Sequence, residues 1–181
     1  MGSASDFPRE KLIVPVLFCD DEGLAKAAGR LEHRFGATDY RSPELPFIWT
    51  DYYTGEMGPE IRRVFLGFEV LVDPSRLWSI KRYTNSLEHR LAADGSRRVN
   101  LDPGLLDLNR LLLATTKHAG HRIPLRRGIY AEITLHYRRG RFEPLPWTYP
   151  DYRSTEYQEI LLQLRKILHR QLKRQEPSAL L

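Results

Sequence analysis

The sequence predicts an α+β fold: a single layered domain with a mixed or antiparallel sheet, its first half ferredoxin-like, closed by a C-terminal hairpin and helix. Three observations predict it. The first hundred residues read strand, helix, weak strand, long strand, helix, strand, the β-α-β-β-α-β rhythm. Residues 61–72 alternate with period two, whereas 20–36 and 77–91 repeat their apolar residues at three and four. Residues 128–146 read as two strands around the tight turn "RRG", followed by a long amphipathic stretch. The domain is expected over 7–174, with 175–181 a frayed tail.

"KLIVPVLF" (11–18) is continuously apolar, as in a strand covered on both faces. Pro15 offers no ladder donor, which predicts an edge position or a bulge. Residues 20–36 predict a helix with Leu24, Ala27, Ala28, Leu31 and Phe35 on one face. Asp20 or Asp21 is suited to cap its start and Gly36 its end. Residues 37–60 are rich in loop signals and in aromatics, with "PFIW" as a short strand. In "IRRVFLGFEVLV" (61–72), Arg63, Phe65, Gly67 and Glu69 share one parity and Val64, Leu66, Phe68 and Val70 the other.

Asp73-Pro74 reads as an N-cap followed by proline at the first helical position. Leu77, Ile80, Thr84, Leu87 and Leu91 then form a buried stripe, and "ADGS" (93–96) a turn. "RRVNL" (97–101) predicts a strand. Asp102-Pro103 repeats the earlier device, which predicts a short helix with Leu105, Leu108 and Leu112 inward. "KHAGHR" (117–122) is a polar turn. Thr155 and Gln158 match a capping box for the last helix, whose stripe is Tyr157, Leu161, Leu164, Leu168 and Leu172.

Composition excludes some classes. No run of about twenty apolar residues spans a membrane. The N-terminus lacks a signal-peptide layout, so the cytoplasm is the expected location. Cys19 is the only cysteine, so no internal disulfide forms. The net charge of +5 is concentrated late: residues 121–181 hold 12 Lys/Arg and 6 Asp/Glu. No phosphate loop, dinucleotide fingerprint, zinc-protease helix or nucleophile elbow is present.

The remaining candidates rest on residue chemistry. His118 and His121 sit three apart in a polar loop and suit acid–base work near neutrality. A metal there would need a third ligand such as Asp102, Glu132 or His136, and no metal site is assigned. Parity sets Glu132 with Tyr130 and Thr134. Either that face is half solvated, or it is covered and the carboxylate needs a partner among Arg122, Arg126 and Lys117. Asp102 is read chiefly as a cap, while Asn100 and Gly104 lack a structural reason. "DYYTGEMG" (51–58) either closes over a ligand or plugs a sheet edge. "PLPWTYPDY" (144–152) walls a pocket or clamps the last helix, with Asp151 beside Arg153 or Arg122.

"NLDPG" (100–104), "LATTKHAGHRI" (113–123), "GIYAEITL" (128–135) and "PLPWTYPDYRS" (144–154) resemble a bacterial family, domain of unknown function 4416, over nearly the whole chain. The resemblance implies no established chemistry and transfers no functional residue. Some members carry a GTP-binding label. Here "TTKHAG" has Lys117 but Ala119 where a guanine-reading aspartate would stand, so the label is not carried over.

The first functional expectation is a small anionic ligand, or acid–base catalysis on one. His118, His121 and Glu132 would be catalytic, and Asn100, Asp102, Gly104, Lys117, Arg122, Tyr52, Tyr53 and Tyr149 would bind. The second is a nucleic-acid binder using the basic hairpin (Arg138, Arg139, Arg141) and the last helix. The third is a non-catalytic interaction domain, with a homodimer contact on the 155–174 helix. No cofactor is indicated.

Overall fold

A computed structural model describes residues 2–93 and 95–175. The chain runs β1 (Glu10–Phe18), α1 (Asp21–Phe35), β2 (Thr38–Arg41), β3 (Leu45–Pro46), α2 (Thr54–Met57), β4 (Arg62–Val72) and α3 (Leu77–Leu91). It continues with β5 (Val99–Leu101), β6 (Gly104–Leu106), β7 (Arg110–Thr115), β8 (Ile123–Arg126), β9 (Ile129–Arg138), β10 (Arg141–Pro144) and α4 (Thr155–Gln175). The tail expected over 175–181 lies outside the described residues from 176 onward, as does Asp94 in the 93–96 turn.

All described strand pairings are antiparallel and build one sheet in the order β10-β9-β7-β6-β1-β4-β2. β3 flanks β4, β5 flanks β1, and β8 flanks β9. α1 and α3 cover one face, where Leu24, Ala27, Leu31, Leu77, Ile80 and Leu87 meet Leu12, Val14, Val64, Leu66 and Phe68. α4 covers the other, where Tyr157, Leu161, Leu164 and Leu168 meet Ile13, Phe65, Leu106, Leu111 and Leu135. Burying apolar surface on both faces accounts for the continuous apolar run of β1. A smaller cluster of Leu17, Phe47, Met57 and Ile61 seals one end.

Asp20 caps α1 by accepting from Gly23 N–H at 2.7 Å, and Gly36 ends it at φ 96°. Asp73 accepts from Ser75 N–H, and a 3₁₀ turn over Pro74–Arg76 leads into α3. At α4 the capping hydroxyl is that of Ser154, which accepts from Tyr157 N–H. Gln158 instead ties the helix to β10 by accepting from Phe142 N–H. Among the described residues, no helix is long and apolar enough to cross a membrane.

Three local expectations are corrected. The helix expected after Asp102-Pro103 is the hairpin β6–β7. Its turn is made by Asp107, whose Oδ1 accepts from the N–H groups of Asn109 and Arg110, each at 2.6 Å. Leu105, Leu106, Leu111 and Leu113 are buried on both faces of the sheet, so helical spacing of leucines is not diagnostic here. Gly104 is a strand residue whose Cβ would lie 2.5 Å from Leu112 O, so its reason is close strand approach. Pro15 is neither at an edge nor in a bulge. It lies in central β1, and Asp102 N–H donates to its carbonyl at the break between β5 and β6.

Candidate functional site

The break at Asp102-Pro103 organises the site. β5 and β6 pair with β1 in one continuous register. On the other side, β7 pairs with β6 only as far as Ala114 N–H donating to Pro103 O. Beyond that point β5 and β7 separate, and β5 presents an open edge. Unpaired backbone groups inside a protein are costly. Two α3 side chains satisfy them: Glu88 Oε1 accepts from Leu101 N–H at 2.8 Å, and Lys81 Nζ donates to Leu101 O at 2.7 Å. They stand where a neighbouring strand would be.

A cleft of about 670 Å³ fills the gap. From α3 it is lined by Lys81, Asn85, Glu88 and His89, and from the β5 segment by Arg97, Asn100 and Asp102. Its far wall carries Leu113, Lys117, Arg122 and Glu132. Its remaining walls are Trp49, Tyr52, Tyr53 and Glu56 on one side, and Tyr149, Asp151 and Tyr152 on the other, with Arg63 beneath.

Asp102 is the hub. Asn100 Nδ2 donates to Oδ2 at 2.9 Å, Lys81 Nζ lies 3.5 Å from Oδ1, and Arg63 Nη2 lies 3.9 Å from Oδ2. Asp102 is therefore no helix cap. Asn100 gains its reason as well, since its Oδ1 also accepts from Arg97 at 2.7 Å. Arg97 further pairs with Glu56 at 3.1 Å and Glu88 at 3.5 Å, tying β5 to α2 and α3.

Arg63 is 3% exposed, with its guanidinium over the Phe47 ring and beside Tyr152 and Tyr157. Burial opposes its charge, yet the neighbouring oxygens of Tyr157, Tyr152, Asp151 and Asp102 outweigh that and raise its pKa. Asp151 pairs with Arg63 at 3.4 Å, rather than with Arg153 or Arg122. Burial raises the Asp151 carboxyl, with Arg63 working against it. Burial pushes Glu88 up to about 7, against the pull of Lys81 and the Leu101 amide, so it exchanges a proton near neutrality. Burial also raises the Tyr53 phenol, with Asp102 adding to the effect.

At the rim, Glu132 is 3% exposed, which corrects the half-solvated alternative. A bulge in the β7–β9 pairing resets the parity, so Glu132 and Leu135 share a face. Its Oε2 accepts from Arg122 Nε at 2.7 Å and lies 3.0 Å from His121 Nε2. Arg122 also donates to Lys117 O and Tyr149 Oη, binding the 117–122 turn to the 147–152 segment. That segment both walls the cleft and joins α4 to the sheet: Trp147 Nε1 donates to Ile133 O and Thr148 Oγ1 to Thr134 O on β9, while Gln158 Nε2 of α4 donates to Tyr152 O. Lys117 Nζ lies over the Tyr52 ring at 4.4 Å and, among the described residues, has no carboxylate partner.

The structure thus brings Asn100, Asp102, Lys117, Arg122, Glu132, Tyr52, Tyr53 and Tyr149 to one cleft. Three candidates lie outside its lining. Gly104 sits in the β6–β7 ladder, His118 packs edge-on against Tyr130, and His121 stacks on Trp147 behind Glu132. Among the described residues no three His, Cys, Asp or Glu side chains are grouped to hold a metal ion. The sequence reading misses Arg63, Lys81, Glu88 and Arg97. The signal for two of them is present, since Lys81 and Glu88 are charged residues inside the buried arc of α3.

A search of the curated proteins and a search of the solved structures each find no match. A family model, described as domain of unknown function (DUF4416), matches residues 8–168 of the 181. The chain belongs to the DUF4416 family.

Proposed function

We propose that the chain binds a small anionic ligand in the cleft between β5 and β7, where acid–base chemistry on that ligand is available. The observation that carries this reading is the inward convergence of Arg63, Lys81, Arg97, Lys117 and Arg122 on one cavity of ligand size. Burying Arg63 and Lys81 costs free energy that an apolar core would avoid. Carboxylates balance most of these cations, but Glu88 holds its proton up to about 7, which leaves a positive excess. Lys117 at the mouth adds a cation that no carboxylate of the described residues pairs with. Glu88 supplies the proton-exchanging group, in place of the expected His118. Trp49, Tyr52 and Tyr149 are exposed rings at the mouth that can cover a bound molecule.

Thermal unfolding with phosphate monoesters and small carboxylic acids, against neutral alcohols and amides of the same size, tests the reading. A ligand at a hundred times its Kd adds about 2.7 kcal/mol, a rise of roughly 5–10 °C for a chain of this length. Lys117→Ala is expected to abolish most of the rise. If neutral compounds stabilise as well as anionic ones, or the variant keeps the full rise, the reading fails.

We also read the unit β1-α1-β2-β4-α3-β5/β6 as ferredoxin-like. Its strand order, β5/β6-β1-β4-β2, and the placement of α1 and α3 on one face support this.

A further inference from the structure

We propose that the deep end of the cleft is a carboxylate subsite, with Arg63 as a two-pronged receptor and Lys81 beside it; this rests on the cleft being a ligand site. The two edges of the Arg63 guanidinium are used unequally. Nη1 is occupied, at 3.4 Å from both Tyr152 Oη and Asp151 Oδ2. The opposite edge, formed by Nε and Nη2, is not. Nε is buried and, among the described residues, makes no hydrogen bond, and the Nη2 ion pair is Asp102 at 3.9 Å, beyond hydrogen-bond reach. A buried guanidinium N–H without a partner is costly, yet this residue is 3% exposed.

The parallel N–H groups of that edge match the two oxygens of one carboxylate, the strongest common arrangement for arginine. The surroundings fit the same occupant. Lys81 Nζ contacts Asp102 at only 3.5 Å, so it too has a donor for a closer acceptor. The Phe47 ring centroid lies 4.9 Å from the guanidinium carbon, a cation–π contact on its face. Asp102, kept at long range from both cations by its bond to Asn100, leaves them to an incoming acid group. A phosphate can also meet arginine in this way, but the single planar edge between aromatic walls favours the planar group.

The experiment uses the full chain labelled with ¹⁵N, in which the Arg63 Nε–H resonance is assigned by its loss in Arg63→Lys. Sodium acetate and sodium phosphate are titrated separately at matched ionic strength. The expected result is a saturable shift of the Arg63 Nε–H with acetate, a smaller one with phosphate, and at least tenfold weaker acetate binding in Arg63→Lys. Should Arg63→Lys not fold, Asp102→Asn is used, and removal of the competing carboxylate is expected to tighten acetate binding severalfold. Unchanged or weaker binding in that variant overturns the proposal. So does saturable movement of Lys117 and Tyr52 signals while the Arg63 Nε–H stays still, which leaves the cleft reading standing. A Nε–H that answers phosphate and not acetate overturns the carboxylate assignment. No saturable shift anywhere removes both the proposal and the reading it rests on.

Discussion

Replacing Glu88 by glutamine tests the electrostatics of the cleft most directly. Burial raises this carboxyl from 4.5 to about 7. Below pH 4.5 both folded and unfolded chains hold the proton, and the group contributes nothing to the pH dependence. Between 4.5 and 7 the unfolded chain has released it while the folded chain retains it, so stability falls as pH rises. Above 7 both forms are ionised and the loss is complete. Each unit of difference is worth about 1.4 kcal/mol, so the full loss is about 3 kcal/mol. Glutamine does not titrate, yet its carbonyl can still accept from Leu101 N–H. Urea unfolding of both proteins from pH 4.5 to 8 isolates the effect, because groups remote from Glu88 cancel in the difference. The variant is expected to gain about 3 kcal/mol on the native protein across that range. Most of the gain should fall between pH 5 and 7. Parallel curves over that interval would refute the reasoning, since Glu88 would then titrate alike in both states.

Other perturbations reach other parts of the structure. Gly104→Ala drives a methyl to 2.5 Å from Leu112 O and 2.7 Å from Leu113 Cδ2. A loss of about 1–3 kcal/mol in urea unfolding is expected, and a neutral result would mean that β6 and β7 are not so closely apposed. Glu132→Ala strands the Arg122 guanidinium and is expected to cost about 3–5 kcal/mol. Hydrogen exchange should rise at 117–122 and 147–152 together, because Arg122 joins those segments. Asp107→Ala removes both acceptor bonds of the β6–β7 turn and its pairing with Arg110. A loss of about 1–2 kcal/mol is expected from denaturant midpoints.

Where periodicity is long and one face is plain, the sequence is legible: β1, α1, β4, α3, the β9–β10 hairpin and α4 follow from their apolar spacing. The failure at 102–115 has a definite cause. Asp102-Pro103 resembles Asp73-Pro74, and Leu105, Leu108 and Leu112 carry helical spacing. What differs is the sequel. Ser75-Arg76 open a polar first turn, whereas Gly104-Leu105-Leu106 offers a poor helix former and then leucines for both faces of a sheet. The aromatic and basic loops of the site are legible because loops carry exposed chemistry. Arg63, Lys81 and Glu88 are not, because each lies where an apolar residue is the default, and only tertiary partners reveal why a charge is there.

Two prolines explain why the cleft opens where it does. Asp102 N–H donates to Pro15 O, but Pro15 returns no bond, so that rung between β1 and β5 is half made. One residue later, Pro103 O accepts from Ala114 N–H, and Pro103 returns no bond to β7. Both ladders are thus weakened at neighbouring positions on opposite sides of one strand. β5 stays with β1 through Val99–Leu101, while β7 follows β9, and the sheet parts between them. The parted edge needs polar partners, and Lys81 and Glu88 bring charge into the interior to supply them. That charge requires countercharges, which Asp102 and Arg97 provide. The candidate site is therefore continuous with the fold: once the strand is broken at Asp102-Pro103, satisfying its open edge places acids and bases around a cavity.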